Sequence, residues 1–520
     1  MTDAIRISRR RFMKTAALGA ASLSAAGGLA ACRSSQDATG ATAQETTWDE
    51  EFDVIVCGGG GAGIAAAYSA LENGAEKVVI IEKANQCGGT TSINLGNIMA
   101  AGTTLQKEAG IVDDTGEAMA AWWIAEGEGV ADERLVRNLA DASADNLEWM
   151  AENFGVTYAN LYGAYGTPYL EEGMLKDRIH VIVDAADPTK AGGVVWTTNG
   201  LAAFADKGGQ VMTATEVTGL AMVDGEVVGV ECGKARYRAK RGVVLAMGGV
   251  DRSEELAARY LPQQLSDIKR RGVFVAQTNT GDGIRIGLAA GARGAFYSSV
   301  ALFYETLYFA ANSNPELASI IVNQRGLRFM REDTTYGYYG RVAYEEAAKN
   351  GGGAGATWMI LDTKMIASPQ GAWSDTAEGG AEARAAAIES GALMQADSID
   401  ELARLIGVDA DTLSETVARW NKDAAAGIDT LFGREKQLGA IDEAPYYAWK
   451  VAGTNIGAVG GLVINDEAAV TDQDGKAIPR LFAAGTNSAG WLGRTYPGSG
   501  AFLAGCLHWG RIAGRSAAQA

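Results

Sequence analysis

A glycine-rich loop between two apolar runs constrains the fold of this chain more than any other part of its sequence. Residues 52–57 are a short β-branched run that predicts a buried strand, and the loop Gly-Gly-Gly-Gly-Ala-Gly at 58–63 follows directly. Residues 64–73 predict a helix, and residues 77–81 predict a second strand that ends at Glu82. This order of elements, with an acid at its end, predicts a βαβ unit that binds a dinucleotide.

The glycines of the loop stand where a pyrophosphate requires them. Gly58 allows a tight turn, Gly60 lets the backbone reach the pyrophosphate, and Gly63 lets the helix pack closely on the strand. The pyrophosphate is then expected at the helix N-terminus. Glu82, 24 positions after Gly58, is expected to accept hydrogen bonds from a ribose. The alternative is a glycine-rich turn in a purely structural α/β domain.

Later segments favour FAD over NAD as the dinucleotide. Residues 88–92 are glycines and hydroxyl residues that can lie against a pyrophosphate and a flavin edge. Residues 241–249 and 481–486 each predict a strand that ends in glycine, and no second GxGxxG unit for NAD(P)H is visible. The predicted cofactor contacts are Gly58, Gly60, Gly61, Ala62, Gly63, Glu82, Lys83, Gly88, Gly89, Thr90, Thr91, Ser92, Val217, Gly248, Gly249, Asp282, Gly485, Thr486, Ser499, Gly500 and Ala501.

The composition argues against several other classes of protein. The 520-residue chain carries a formal net charge of −18, so its body would repel a nucleic acid. It has two histidines, His180 and His508, which argues against a multi-histidine metal site. Its five cysteines show no Cys-x-x-Cys spacing, so neither a zinc ribbon nor an iron–sulfur cluster is expected. We predict no metal site.

The N-terminus has the features of an export signal. Arg-Arg-Arg-Phe-Met-Lys at 9–14 precedes a weakly apolar Ala/Leu/Gly run at 15–31, and residues 1–32 resemble a twin-arginine signal. Leu-Ala-Ala-Cys at 29–32 resembles a lipobox, which would lipidate Cys32; ordinary cleavage nearby is the alternative. Residues 33–50 are a polar linker. We expect an exported protein, either periplasmic or on the outer face of the cytoplasmic membrane, in contact with the membrane only through a lipid on Cys32.

The pattern changes in the middle of the chain. Residues 51–295 and 454–520 are rich in strand-like runs and glycines, whereas residues 296–453 contain clustered aromatics and then Ala/Glu-rich helical patterns. The predicted fold class is α/β: a Rossmann-like FAD-binding domain, in two parts, interrupted by an α+β cap domain at 296–453. Residues 211–230 predict a β-meander, and residues 398–421 an amphipathic helical region.

These motifs, in this order, resemble the flavoproteins related to fumarate reductase and 3-ketosteroid dehydrogenase. The resemblance covers about residues 50–520 and rests on the Gly58 fingerprint, Glu82-Lys83, Gly88-Gly89-Thr90, Gly248-Gly249, Gly281-Asp282-Gly283, and Ile321-Val322-Asn323 with Arg328-Phe329. It implies non-covalently bound FAD and an active site between the flavin-binding domain and the cap.

Within this family the chain is more similar to the 3-ketosteroid Δ1-dehydrogenase branch. Residues 493–500, Gly-Arg-Thr-Tyr-Pro-Gly-Ser-Gly, resemble that branch's Tyr-Pro-Gly-x-Gly segment, and Tyr336 stands where the fumarate reductase branch has an arginine proton donor. Residues 455–461 lack the histidine that the fumarate reductase branch uses to hold a carboxylate. The chain departs from the steroid branch at Arg331-Glu332 and at Thr335, which stands where that branch has a proline.

The resemblance implies catalytic roles for Tyr336, Tyr496 and Gly500. The Tyr496 hydroxyl and the Gly500 N–H would hold the oxygen of a 3-oxo substrate and stabilise the enolate that develops there. Tyr336 would exchange a proton with the α carbon while the flavin exchanges a hydride with the β carbon. The branch's second tyrosine is left open among Tyr162, Tyr165 and Tyr169.

Alternatives stay open for the substrate, for the direction of the redox reaction and for the electron partner. Six aromatics predict either an apolar pocket for a flat polycyclic substrate or the cap core: Phe296, Tyr297, Phe303, Tyr304, Tyr308 and Phe309. The main hypothesis is an oxidoreductase for the CH–CH or C=C bond beside a ketone, most readily a steroid. Reduction of unsaturated acids such as fumarate is the second, and a flavin carrier between proteins the third. An exported enzyme would exchange electrons with a quinone or a redox protein.

Overall fold

The computed structural model describes residues 47–520, apart from 164–165, 172, 270–271, 303–313, 315, 350–356, 369–372 and 452. Residues 48–520 form one unit by their contacts. The strands are β1 Glu50–Cys57, β2 Val78–Ile81, β3 Asn97–Met99, β4 Val156–Tyr162, β5 Ile179–Asp184, β6 Gln210–Met212, β7 Gly219–Val223, β8 Glu226–Cys232, β9 Ala235–Leu245, β10 Gly294–Leu302, β11 Ser319–Val322, β12 Trp358–Asp362, β13 Leu393–Ala396, β14 Tyr446–Lys450, β15 Thr454–Val463, β16 Ala469–Thr471, β17 Ala477–Ala483 and β18 Ser488–Ala489.

Helices cover these strands. They are α1 Gly61–Glu72, α2 Gly89–Ser92, α3 Thr104–Glu108, α4 Gly116–Glu126, α5 Glu133–Asp141, α6 Ser143–Phe154, α7 Gly193–Asp206, α8 Glu254–Tyr260, α9 Pro262–Lys269, α10 Asp282–Ala289, α11 Tyr336–Lys349, α12 Thr363–Ile366, α13 Gly380–Glu389, α14 Ile399–Ile406, α15 Ala410–Ala425 and α16 Ala501–Gln519. Among the described residues, none of the helices is both long enough and apolar enough to cross a membrane.

An eight-stranded sheet organises the nucleotide-binding part. Its main path runs β16-β17-β9-β1-β2-β6, and β8 pairs with β9 and β7. The five strands from β17 to β6 are parallel to one another. Their apolar side chains are buried on both faces, as in β1 and β2, because helices cover a parallel sheet on both sides.

The βαβ unit predicted from residues 52–82 is confirmed. β1, α1 and β2 form the βαβ unit, with Cys57 paired to Ile81 at the carboxyl end of the two strands. The prediction of a β-meander over 211–230 is wrong in part. β6 runs parallel to β2 at the sheet edge, and the meander consists of β7, β8 and β9 instead. A short β-branched run has the same pattern in a meander and at a parallel edge, so periodicity alone did not separate the two.

The helix α16 returns to the start of the fold. It packs on α1 through small residues: a Cβ on Gly514 would lie 2.0 Å from the Ala66 carbonyl oxygen, and a Cβ on Gly510 2.6 Å from that of Ala62. Such close backbone contact leaves no room for a larger residue. The packing brings the N-termini of α1 and α16 to the same side of the sheet, next to the glycine loop.

A separate four-stranded antiparallel sheet lies within residues 319–450. Its order is β11-β12-β14-β13, and α14 and α15 pack beside it. The helical region predicted at 398–421 is therefore present, but Gly407 at φ +74° divides it into two helices. β10 and β15, at the two ends of the predicted cap, pair with each other. The exact domain boundaries stay a prediction.

Candidate active site

A large cavity opens at the carboxyl ends of β1, β2 and β9. It encloses about 1040 Å³ of space between the atoms, part of it open to solvent. Fourteen of the predicted cofactor residues line it: Gly58, Gly60, Gly61, Ala62, Glu82, Lys83, Gly89, Thr90, Thr91, Val217, Gly248, Asp282, Gly485 and Thr486. The nucleotide site predicted from local sequence thus coincides with this cavity.

The glycine loop has the geometry that its sequence predicts. Gly58 is at φ +101°, and a Cβ on Gly63 would lie 1.9 Å from the Gly58 carbonyl oxygen. The position of Gly60 is different, since a Cβ there would meet no atom within 4 Å. Gly58 and Gly63 are thus required by the fold, whereas Gly60 leaves space in the cavity that a ligand can fill.

Glu82 lies where the ribose acid of a dinucleotide site is expected. One carboxylate oxygen accepts from the Gly59 N–H at 2.8 Å, and the other accepts from the Ala84 N–H at 2.8 Å. Each oxygen keeps a second lone pair for a ribose hydroxyl. The two backbone donors fix the carboxylate at the cavity wall.

A cluster of charged and polar side chains lies at one side of the cavity. The Lys83 ammonium forms an ion pair with Asp282 at the start of α10 and donates to the Thr280 hydroxyl at 2.6 Å. Thr280 donates in turn to Asp282 at 2.9 Å, and Arg285 contacts the other carboxylate oxygen at 2.9 Å. Although burial acts to raise it, the pKa of Asp282 is lowered by Lys83, Thr280 and Arg285. Asp282 is therefore a carboxylate at neutral pH.

The described residues fit FAD. The open space at Gly60 lies at the N-terminus of α1, where a pyrophosphate is stabilised, and Glu82 stands beside it for the ribose. At another part of the wall, the Oδ1 atom of Asn279 is buried without a hydrogen-bond partner among the described residues and is available to a polar ligand. Residues from α16, such as Phe502 and Leu503, supply an apolar wall suited to a flavin.

We expect the Gly60→Ala variant to fold and to lose affinity for FAD. The backbone of Gly60, at φ −79° and ψ −178°, suits any residue, and a methyl group would project into open cavity space. Fluorescence titration of the apoprotein with FAD should show the weaker binding while the melting temperature of the apoprotein stays unchanged. A Gly63→Ala variant, whose methyl group collides with Gly58, should lower that melting temperature. Equal FAD affinity of Gly60→Ala and the parent protein would contradict the assignment.

The two predicted catalytic tyrosines lie side by side. Tyr336 is the first residue of α11, and its ring centroid lies 6.0 Å from that of Tyr496. Its hydroxyl forms a hydrogen bond with the Ser499 hydroxyl at 3.3 Å. The Phe502 N–H, in the first turn of α16, donates to the Tyr496 hydroxyl oxygen at 3.2 Å. Because that oxygen accepts from a helix N-terminus, its own proton is free to be donated elsewhere.

Both phenols are neutral at neutral pH. Burial raises the pKa of Tyr336 above its ordinary value, and the hydrogen bonds from Ser499 and Tyr496 offset this only in part. Burial and the neighbouring Tyr336 raise the pKa of Tyr496, against the lowering effect of the Phe502 and Ala501 N–H groups. In this state each hydroxyl is a hydrogen-bond donor rather than a base.

Gly500 caps α16 at φ +99°, and a Cβ there would lie 2.9 Å from the backbone of Ile98 and Met99. Its carbonyl accepts from the Met99 N–H at 3.3 Å, while its own N–H has no protein acceptor among the described residues. This N–H is therefore available as the second donor of the predicted carbonyl site.

The candidates for the second active-site tyrosine differ in their surroundings. Tyr162, at the end of β4, lies close enough to Tyr336 to contribute to the raised pKa of that residue. Tyr169 donates to Glu128 at 2.8 Å, so its hydroxyl is already engaged. Tyr165 lies outside the described residues. Of the described candidates, Tyr162 is thus the one next to Tyr336.

Several predicted residues support the site without lining the cavity. Gly63, Gly88, Ser92 and Gly249 shape its backbone, and Ser499, Gly500 and Ala501 lie beside the tyrosines. The Gly61 N–H donates to the Thr91 hydroxyl at 3.1 Å. Their roles toward a cofactor stay predictions.

Sequence reasoning missed part of the wall. The additional lining residues include Asn94, Met247, Asp251, Val275, Ala276, Asn279, Ile456, Gly457, Phe502, Leu503 and Cys506. Asn279 stands two residues before the Gly-Asp-Gly motif, and this position is the sequence feature from which it could have been predicted.

Two of the six aromatic residues predicted to line a pocket or the cap core lie among the described residues, Phe296 and Tyr297. Phe296 stacks on Tyr260 with ring centroids 4.4 Å apart, and Tyr297 lines a small second cavity with Phe502 and Trp491. Phe303, Tyr304, Tyr308 and Phe309 lie outside the described residues. The choice between a substrate pocket and a cap core therefore stays open for this group.

The described histidines do not face the cavity. His180 is bonded to the Thr103 hydroxyl at 2.9 Å, and His508 to the Asn146 amide at 3.1 Å. Burial lowers the pKa of both, that of His508 to about 3, so both are neutral. Cys57, Cys87, Cys232 and Cys506 are free thiols, and no group of three His, Cys, Asp or Glu in the described part of the chain is arranged to hold a metal.

These features define a flavoprotein: a parallel-sheet nucleotide fold encloses a cavity that fits FAD, and Phe502 of the cavity wall donates its N–H to Tyr496 of the tyrosine pair. The chain belongs to the FAD binding domain family, which matches residues 53–503. It is an FAD-dependent oxidoreductase of the type that acts on CH–CH bonds.

Three comparisons show the range of its relatives. Digoxin reductase of Eggerthella lenta is 28% identical over 98% of this chain and 97% of its own length. A probable fumarate reductase of Shewanella frigidimarina is 29% identical over 93% of this chain and 77% of its own length. The structure of 3-ketosteroid-Δ4-(5α)-dehydrogenase from Rhodococcus jostii RHA1, with 4-androstene-3,17-dione, superposes with a TM-score of 0.73 at 26% identity, over 92% of this chain and 99% of that one. The family is thus shown at a level that includes steroid and carboxylic acid substrates.

Proposed function

We propose that the protein reduces the C=C bond of an enone, with 3-oxo-steroids as the substrate class, and is most similar in its active site to the ketosteroid dehydrogenases. The observation that carries the proposal is the pair Tyr336 and Tyr496, with Ser499 on one hydroxyl and the Phe502 N–H on the other. The name of one relative, a 3-ketosteroid dehydrogenase, supports this substrate class, and the name of another, a digoxin reductase, supports the reductive direction.

The residues divide the work on the substrate between a carbonyl site and a proton donor. The Tyr496 hydroxyl and the Gly500 N–H hold the ketone oxygen and stabilise negative charge that develops on it. The N-terminus of α16 adds positive potential at the same place. FAD, when bound in its reduced form, supplies the hydride for the β carbon. Tyr336 supplies the proton for the α carbon from its neutral hydroxyl, and the Ser499 hydroxyl is positioned to pass a proton back to it.

The neutral state of both tyrosines favours the reductive direction. A phenol whose pKa is raised carries its proton at neutral pH, as reduction requires, whereas desaturation of a ketone requires it to lose that proton before it can act as a base. The same groups serve the reverse reaction when the pH is high enough to deprotonate Tyr336, because the transition state is shared.

Reduction of an unsaturated acid is the second candidate, since a probable fumarate reductase is among the relatives. Such a reaction needs cations that clamp carboxylates. The buried Arg328 is already engaged by Glu332 and Asp429, at 2.7 and 2.9 Å, and Arg434 by Glu332 at 3.2 Å. Arg494 is half exposed and lies 3.9 Å from Glu128. Arg328 and Arg434 are thus occupied by carboxylates of the protein itself, which favours the ketone.

The proposal also includes export and an external electron donor. The signal-like residues 1–32, with Cys32, lie outside the described residues, so export rests on their sequence. A quinol or a reduced redox protein on the outer side of the membrane would then supply the electrons. Sodium dithionite can replace this donor in a test on the purified protein.

An anaerobic reoxidation experiment separates the two substrate classes. The flavoprotein is reduced with dithionite, the excess is removed, and 4-androstene-3,17-dione, 1,4-androstadiene-3,17-dione or fumarate is added in separate cuvettes. We expect flavin absorbance near 450 nm to return with a steroid enone and to stay low with fumarate, in about the time that a typical enzyme needs for one turnover. Reoxidation by fumarate alone would contradict the proposal and support the acid reductase.

A further inference from the structure

Glu128 lies at a junction between three parts of the chain that surround the candidate tyrosines. It follows the C-terminal end of α4, and its backbone is at φ +52°, a region that residues other than glycine seldom occupy. Such a conformation persists where surrounding contacts hold it. The contacts of Glu128 therefore show what keeps it in place.

One side of the junction is the segment that carries Tyr496. The Arg494 N–H donates to the Gly127 carbonyl at 3.2 Å, so the backbone next to Glu128 is tied to this segment. The Thr495 hydroxyl, adjacent in sequence to Tyr496, donates to the Glu128 carboxylate at 3.4 Å. The position of Tyr496 is thus linked to that of Glu128 by a backbone and a side-chain contact.

The second side is the helix that carries Tyr336. Arg341, one and a half turns into α11, forms an ion pair with the same carboxylate oxygen of Glu128, and its side chain is 13% exposed. The first turn of α11 also lies directly on the Tyr496 backbone, because a Cβ on Gly337 would be 2.5 Å from the Tyr496 carbonyl oxygen. The first turn of α11 and the segment of Tyr496 are therefore in direct backbone contact.

The third side is the region that follows β4. The Tyr169 hydroxyl donates to Glu128 at 2.8 Å, and its ring makes an edge contact with Tyr338 of α11 at 6.0 Å. One carboxylate oxygen therefore receives three donors, from Arg341, Tyr169 and Thr495. A neutral amide in its place would lose the negative charge that attracts Arg341 and would carry an NH2 donor in place of the second oxygen.

We infer that Glu128 is a positioning residue: it holds the helix of Tyr336 against the segment of Tyr496 and so sets the spacing of the two hydroxyls across the substrate. This inference rests on the proposed function for its effect on turnover. It assigns no contact between Glu128 and the substrate. The effect is expected because a misplacement of about 1 Å in a reacting group can reduce turnover about 10²-fold.

The test compares Glu128→Gln with Glu345→Gln, since Arg341 pairs with both acids and Glu345 is half exposed on the outer side of α11. We expect Glu128→Gln to lower kcat for 4-androstene-3,17-dione reduction by about 10- to 100-fold with little change in KM. Glu345→Gln should stay within about twofold of the parent protein. An Arg341→Gln/Glu128→Gln variant should be no slower than Glu128→Gln alone, because both changes break the same contact.

Hydrogen exchange without substrate keeps the inference separate from the proposed function. In the oxidised holoenzyme, amides of residues 336–349 should exchange faster in Glu128→Gln than in Glu345→Gln. If the parent protein reduces no steroid enone while this difference in exchange is present, the proposed function fails and the positioning role stands. If Glu128→Gln matches Glu345→Gln in exchange, or in kcat where turnover is present, the positioning role is contradicted.

Discussion

Replacement of Tyr336 by phenylalanine is expected to lower kcat for enone reduction by about 10²- to 10⁴-fold, the usual contribution of a positioned proton donor. The ring keeps its place at the start of α11 and beside Tyr496, so only the hydroxyl bonded to Ser499 is lost. Flavin content and the rate at which dithionite reduces the flavin should be unchanged. Stopped-flow absorbance of flavin reoxidation by 4-androstene-3,17-dione measures the step directly.

The matched control is Tyr338→Phe, two residues further along the same helix. The Tyr338 ring packs against Arg341 and Tyr169, and both contacts survive the loss of its hydroxyl. We expect its kcat to stay within about threefold of the parent protein, since surface changes of this kind cost little. A Tyr336→Phe variant as fast as Tyr338→Phe would remove Tyr336 from the mechanism.

The second large effect concerns stability. We expect Glu332→Gln to lower the free energy of unfolding by about 3–5 kcal/mol, the range for removing one partner of a buried ion pair. Glu332 accepts from Arg328 and from the Ile321 N–H, and it contacts Arg434 at 3.2 Å. The amide would remove the carboxylate that these two buried guanidinium groups share, while Asp429 stays bonded to Arg328.

Urea denaturation of the holoprotein with excess FAD measures this loss. Asp375→Asn provides the control, because its ion pair with Arg384 is mostly exposed on the Asp375 side and should contribute at most about 1 kcal/mol. An unchanged denaturation midpoint in Glu332→Gln would show that the network of Arg328, Glu332, Asp429 and Arg434 does not stabilise this part of the fold.

The nucleotide site could be predicted because its chemistry is local in sequence. Gly58, Gly60 and Glu82 belong to one βαβ unit, and the backbone conformation that each position requires leaves a direct trace in residue type. The tyrosine pair was found for a different reason. Tyr496 lies in a long and uncommon motif, and the resemblance to a family placed Tyr336 beside it.

The rest of the site depends on contacts between distant parts of the chain. The wall formed by Val275 and Ile456 requires the Phe274 N–H to meet the Asn455 carbonyl, at 2.7 Å, across 181 positions. Glu128 gave no signal, since a lone acid after a helix has the pattern of a solvated surface. The same limit applied to β6, whose three residues carry no information on which neighbour they pair with.

The packing of α16 on α1 bears on how the protein acquires its flavin. Gly60 and Ala62 near one end of the described chain and Leu503 and Cys506 near the other line a single cavity. During synthesis the binding surface of the early βαβ unit is therefore incomplete until residues 501–519 have been made and have packed on it. We therefore expect FAD to bind only late in folding. A truncated chain that ends before residue 501 should be recovered without the yellow colour of bound flavin.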